Sequence, residues 1–203
     1  MLKKMMTPPS IDWQTKFSRK LEVAQNDALK QYYQAGVPAP STPLEEVTFL
    51  AMDFETTGLD SDEDDIITIG TVPFNLNRIF INQAQHWTVK PRKQLAEESV
   101  VIHGITHTDV LDAPDLIGVY EEILAQMAGK IMVVHYQRIE REFFDKALNA
   151  RVKEGIEFPV VDTMHIETQL QQKASGGDLK NKRRRKPQER KSWSKRQSGG
   201  WPP

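Results

Sequence analysis

VTFLAMDFETTGLD, residues 47–60, is the stretch whose reading decides the fold. From Val47 to Glu55 it is a short, β-rich apolar run that ends in acids, the pattern of a strand covered on both faces. Outward from it, DIITIGTVPF (65–74) and RIFINQAQHWTVK (78–90) predict the next two strands, with Asn75–Arg78 as a hairpin turn. Then the period lengthens. Residues 115–128 place Leu116, Tyr120, Ile123, Leu124 and Met127 on one helical stripe, with Gly129 as its C-terminal cap. IMVVH (131–135) predicts a buried strand, and IEREFFDKAL (139–148) a helix with Phe143, Phe144 and Leu148 inward. FPVVDTM (158–164) predicts a last strand leading into a short helix capped by Asp162. Strands first, then helices alternating with strands, give an α/β fold with a mixed sheet.

The 203 residues suit one domain with appendages. Before the sheet, Trp13, Phe17, Leu21, Ala24, Ala28 and Tyr32 recur at helical spacing and predict one amphipathic helix over 11–35. Ser10 stands where a cap belongs, and Gly36 with Pro38 where a stop belongs. AGVPAPSTP then reads as a linker, so residues 1–46 form an N-terminal helix and linker ahead of a domain over 47–170. Residues 171–203 are Lys, Arg, Gln, Ser and Gly with few apolar side chains, a composition that predicts a basic disordered tail.

The formal net charge of −1 hides a division. Residues 1–172 hold 16 basic against 26 acidic side chains, whereas residues 173–203 hold 11 against 2. An acidic body thus carries a strongly basic tail. The lack of cysteine excludes disulfide scaffolds, thiolate metal sites and thiol catalysis. No apolar run approaches the roughly 18 residues of a membrane span, and the start resembles no secretory signal, so the expectation is a soluble cytoplasmic protein with no membrane partner.

The chemistry lies at the end of the first strand. Residues two apart in a strand share a side, so Asp53 and Glu55 project together while Phe54 points the other way. Two carboxylates facing one space repel unless a cation lies between them, and oxygen ligands favour Mg²⁺ or Mn²⁺ over zinc. Thr56, Thr57 and Gly58 then turn the backbone outward, where amides and hydroxyls could hold a phosphate or a terminal nucleotide. Paired metals of this type stabilise the attacking and leaving oxygens in phosphodiester hydrolysis.

LAMDFETTGLD resembles the first motif of the DEDD exonucleases, the DnaQ-like group typified by the proofreading epsilon subunit of bacterial DNA polymerase III. The order that follows is similar too: Ile102-His103-Gly104-Ile105-Thr106, then Val134-His135-Tyr136-Gln137-Arg138-Ile139-Glu140, a variant of the second motif. The resemblance covers roughly residues 47–168 and implies an RNase H-like sheet flanked by helices. It also implies 3′→5′ removal of nucleotides with two divalent metals, on nucleic acid with single-stranded or frayed DNA 3′ ends foremost, beside a polymerase or repair partner. By motif position Asp53, Glu55 and Glu140 would be catalytic metal ligands, and Phe54, Thr56, Thr57 and His103 would lie at the 3′-terminal nucleotide. His135 would stand at the preceding strand end, either near that nucleotide or as a satisfied cap of the strand. Glu140 replaces the family's Asp, and its extra methylene moves the carboxylate by about 1.5 Å. The plainer alternative is an exposed glutamate in a helix's first turn, where the dipole favours acids.

The chain departs from the family at its third motif, His-x-x-x-x-Asp, whose His serves as general base. No histidine follows His165 and no Asp follows Asp178, while His107 and Asp112 have the spacing but precede the second motif. A frameshift or premature end in the coding sequence would account for this. The loss of a general base commonly costs about 10²–10⁴ in rate, so the expected enzyme is impaired, and a noncatalytic nucleic-acid-binding or polymerase-associated protein is the alternative. The run Asp60-Ser61-Asp62-Glu63-Asp64-Asp65 starts like a calcium loop, but Asp65 stands where Gly is needed and Thr71 where Glu is needed. It reads as a solvated acidic turn. KRRRK (182–186), with Trp193 and Trp201, could contact phosphates and bases, or be no more than a charged tail.

Overall fold

The computed structural model describes residues 11–92, 110 and 112–178, and gives two compact units, Met1–His165 and Ile166–Pro203. In the first, strands β1 (Phe49–Thr56), β2 (Ile66–Phe74), β3 (Gln85–Thr88), β4 (Ile131–Val134) and β5 (Val160–Asp162) form one mixed sheet in the order β3-β2-β1-β4-β5. β1 pairs antiparallel with β2 and parallel with β4, and β4 pairs parallel with β5. Helices α1 (Trp13–Val23) and α2 (Asp27–Gln34) precede the sheet, and α3 (Tyr120–Met127) and α4 (Arg138–Val152) make the crossovers to β4 and β5. α5 (Thr163–Asp178) follows β5. This is the mixed, helix-flanked sheet of the RNase H-like class that the sequence predicts. Among the described residues no helix is long and apolar enough to cross a membrane.

Alternation along β1 builds the core. Leu50, Met52 and Phe54 are buried and share their face with Ile69 of β2, Trp87 of β3 and Met132 of β4. They join Ile123, Leu124 and Met127 of α3 and Phe143, Phe144 and Leu148 of α4 in one cluster. The five predicted stripe residues of 115–128 are all buried, although the segment is a 3-10 turn at Leu116–Gly118 followed by α3. Gly129 takes φ +70 just after that helix, a conformation that favours glycine.

Three expectations change. The single helix over 11–35 is two helices, because Ala24 turns extended and the Glu154 carboxylate accepts from the Gln25 and Asn26 amides at 2.9 Å each. The Asn26 side chain then caps α2 through the Leu29 amide. Residues 78–90 form a strand only at Gln85–Thr88. The Asn75–Arg78 turn closes as predicted, and Ile79 bridges Phe74, but Pro73 accepts from the Phe80 amide with no N–H to return, so the ladder stops and the chain coils through Ile81–Gln83. Finally, α5 continues to Asp178, so 171–178 is helical where composition predicts disorder. Ser10 and the residues after Asp178 lie outside the described residues; Asp12 caps α1 through the Thr15 amide.

The helix pair belongs to the packed body. Phe17 meets Tyr32 and Tyr33 at ring distances of 5.3 and 5.2 Å, and Asn26 donates to the Tyr120 hydroxyl at 3.0 Å. Phe17→Ala is therefore expected to destabilise the whole protein by about 3–5 kcal/mol, checked by urea unfolding followed through both tryptophan fluorescence and circular dichroism. Loss of α1 alone, with the sheet's transition unmoved, would contradict this.

Candidate active site

β1 outruns its parallel neighbour. It pairs with β4 only at residues 49–51 but with β2 along its whole length, so from Met52 onward its β4 side is open. The C-terminal ends of β1, β4 and β5 share this edge, the usual place for a site in an open α/β sheet. Asp53 and Glu55 emerge there on one face and Phe54 on the other, as alternation requires; Asp53 is exposed and Glu55 half-buried. The pairing register continues the row from Asp53 through Gly70 to His86 of β3. With no side chain at Gly70, an open groove of about 580 Å³ runs between these two residues, floored by Ala51, Val72 and Val133.

The turn after β4 supplies the opposing acid. Glu140 lies in the first turn of α4 and is only 2% exposed, with Oε2 buried and without a hydrogen-bond partner. Burial first, then the charges of Asp53 and Asp162, push its carboxyl up to about 7. Glu140 is thus a buried carboxylate that feels the charges of Asp53 and Asp162. The alternative of an exposed helix glutamate does not hold.

Asp162 does more than cap the last helix. Its Oδ1 accepts from the Met164 and His165 amides of α5 at 3.0 and 3.4 Å. The same carboxylate also accepts from the Tyr136 and Gln137 amides at 3.1 Å each. Burial pushes its carboxyl up, but these four donors outweigh it and hold the group below the usual carboxylate range. His135 Nδ1 lies 2.9 Å from the Thr163 hydroxyl, which donates to the Val134 carbonyl.

The loop after β1 is held by its own polar groups. The Thr57 hydroxyl donates to Asp64 and accepts from the Asp65 amide, both at 3.0 Å, and Thr56 donates to the Gly58 carbonyl at 2.5 Å. Both hydroxyls predicted to meet a nucleotide thus have partners within the loop. A Cβ on Gly58 would run into the Asp64 carboxylate. The acidic run is no simple solvated turn: Asp65 is buried and holds Arg92 through its backbone amide and guanidinium at 2.7–2.9 Å. Phe54 needs a correction as well. Its side chain lies in the core against Phe144, ring centroids 5.9 Å apart, away from the acids. His103 lies outside the described residues.

Asp53, Glu55 and Glu140 do not close into one ligand cluster; among the described residues no group of three acids or histidines is gathered closely enough to hold a metal ion. Glu140 Oε2 is left without a partner, in the field of Asp53. A hard divalent cation there would give Oε2 a partner and offset the repulsion. Mg²⁺ commonly keeps several waters and takes one or two carboxylates. Two features escaped the sequence: the second pair of bonds at Asp162, and the position of His86 in the Asp53 row. Both depend on strand register, which no local pattern carries.

Comparison with known proteins gives a consistent picture. The family model described as Exonuclease (RNase_T) matches residues 50–188. A PolC-type DNA polymerase III of Thermotoga petrophila is 30% identical over 127 residues, 63% of this chain and 9% of that protein. The DNA polymerase III subunit epsilon of Treponema pallidum is 29% identical over 119 residues, 59% of this chain and 54% of that one. The chain therefore spans a small part of the first relative and about half of the second. Among solved structures, the metal-free E. coli ExoI–ssDNA complex superimposes with a TM-score of 0.53 at 15% identity, over 60% of this chain and 29% of that one, a likeness of fold.

Glu140 makes a stability prediction that needs no substrate. Its folded value near 7 lies above the ordinary 4.5, so its contribution is fully present below pH 4.5 and is lost as pH rises through 7, a loss of roughly 3 kcal/mol. Glu140→Gln removes that loss. With chelator present, the variant should match the wild type in urea near pH 4.5 and exceed its stability by roughly 2–3 kcal/mol at pH 8. Equal stabilities at both pH values would contradict the buried, unpartnered carboxylate.

Proposed function

We propose that this chain, which belongs to the exonuclease family, is a metal-dependent DnaQ-like 3′→5′ exonuclease acting on single-stranded or frayed DNA ends. The observation that carries the reading is the Glu140 carboxylate, buried with one oxygen unanswered and raised by the charge of Asp53. Mg²⁺ or Mn²⁺, when bound, would supply Lewis-acid stabilisation of the attacking and leaving oxygens of a phosphodiester. Asp53 and Glu140 would hold it, with Glu55 beside them on the same strand face. The chain's remaining contribution is placement: the open β4 side of β1 leaves room for a polynucleotide end, and the self-bonded loop after β1 fixes that edge. The names of the relatives and the single-stranded DNA in the exonuclease I complex support DNA as substrate and a polymerase as associate. No histidine follows His165 in these 203 residues, and a hydrolysis that lacks a general base commonly runs about 10²–10⁴ slower.

A 5′-labelled single-stranded oligonucleotide incubated with Mg²⁺ or Mn²⁺ should shorten stepwise from its 3′ end. Asp53→Ala with Glu55→Ala should slow this by about 10³-fold, the scale of losing several kcal/mol of charge stabilisation. Equal rates in the double variant would remove the assignment.

One feature favours a second, noncatalytic reading: the excess of 11 basic over 2 acidic side chains in residues 173–203, suited to phosphate binding. On that reading the chain retains strands without cutting them. Salt-sensitive DNA binding that persists in the double variant and is lost on deleting residues 179–203, with no cleavage by the wild type, would select it.

A further inference from the structure

We propose that Asp162 is a positioning residue, whose carboxylate holds the turn between β4 and α4 in the shape that fixes Glu140 in the first turn of α4. The proposal rests on the assignment of Glu140 to the active site. The turn lacks local support. Tyr136 takes φ +78, a left-handed conformation that costs a non-glycine residue energy, and Gln137 begins α4 with no side-chain cap. The support comes from across the sheet, where β5 ends beside β4 and its last residue pairs with Val134. Asp162 Oδ1 takes the Tyr136 amide and Oδ2 the Gln137 amide, each at 3.1 Å. Thr163 grips the other side of the same turn through the Val134 carbonyl at 3.0 Å. An aspartate and a threonine that follow one another thus clamp both the amides and the carbonyl of one strained turn.

Glu140 lies at the far end of that clamp. Ile139 donates to the Tyr136 carbonyl and Arg141 to the Gln137 carbonyl, both at 3.1 Å, so the first turn of α4 moves with the residues that Asp162 holds. Both Asp162 oxygens are already engaged by backbone amides, which marks the residue as a support for the site. Groups that orient metal ligands from behind are typically worth 10–100-fold in affinity.

The test uses the full chain and Mn²⁺ as probe. Asp162→Asn keeps the size but puts an NH₂ against one of the two amides. Calorimetry should show Mn²⁺ affinity lowered by about 10–100-fold. Exonuclease assays should show kcat reduced with KM little changed. In a Glu140→Gln background the same substitution should leave residual Mn²⁺ affinity unmoved while lowering the melting temperature as much as before. That split separates positioning from general support of the fold. If Asp162→Asn does not fold, Thr163→Ala loosens the same turn from the carbonyl side and is read in the same measurements. Unchanged Mn²⁺ affinity in a chain that degrades DNA, or an equal loss in the Glu140→Gln background, would overturn the proposal and leave the exonuclease reading standing. A wild type that binds Mn²⁺ and degrades nothing would overturn the exonuclease reading and leave positioning to be judged by affinity. A wild type that takes up no Mn²⁺ overturns both.

Discussion

Everything at the open end of this sheet turns on negative charge held where water cannot answer it. Glu140 is sealed in the first turn of its helix, with Asp53 and Asp162 both adding to its discomfort. A domain of this size is stable by only about 5–15 kcal/mol, so a penalty of a few kcal/mol at one side chain is a large share. Sites that bind cations commonly carry such a burden, because the same arrangement that destabilises the apo fold becomes favourable when an ion arrives. The rest of the molecule can be understood as what makes the burden tolerable: an apolar sheet face, a pair of crossover helices, and two aromatic-rich helices that close the core behind them.

Much of this was legible in the sequence because it follows from local period. Alternation in VTFLAMDFE gives the strand and puts Asp53 and Glu55 on one side of it, and the 3.6-residue stripe of 115–128 gives its five buried side chains. What was not legible depends on partners far along the chain. The break between the first two helices requires Glu154, more than a hundred residues away, to take two amides. The short third strand needs the direction in which Pro73 faces its neighbour, although the proline itself was a visible warning. Phe54 follows the alternation rule, which sends it to the core and overrides the role assigned by motif position. The resemblance supplied the class of site, and strand pairing set Asp53, Gly70 and His86 in one row.

The acidic loop shows the same division. Composition alone makes 60–65 look like hydrated surface, yet Asp64 ties Thr57 and the Asp60 amide, and Asp65 is buried against Arg92. These bonds replace water with fixed donors, and they hold the chain immediately after the two first-motif acids. Rigidity beside a charged cluster matters because small displacements of carboxylates change their mutual repulsion steeply at short range.

β5 is three residues long, stands at one border of the sheet, and carries at its tip the side chain that braces the turn after β4. During synthesis from the N-terminus, β1 to β4 and their crossover helices exist before that tip does. On the proposed role of Asp162, the strained Tyr136 would lack its brace until residue 162 has docked, and the acids would reach their final arrangement only then. Completion of the site would then wait on the last strand to be made.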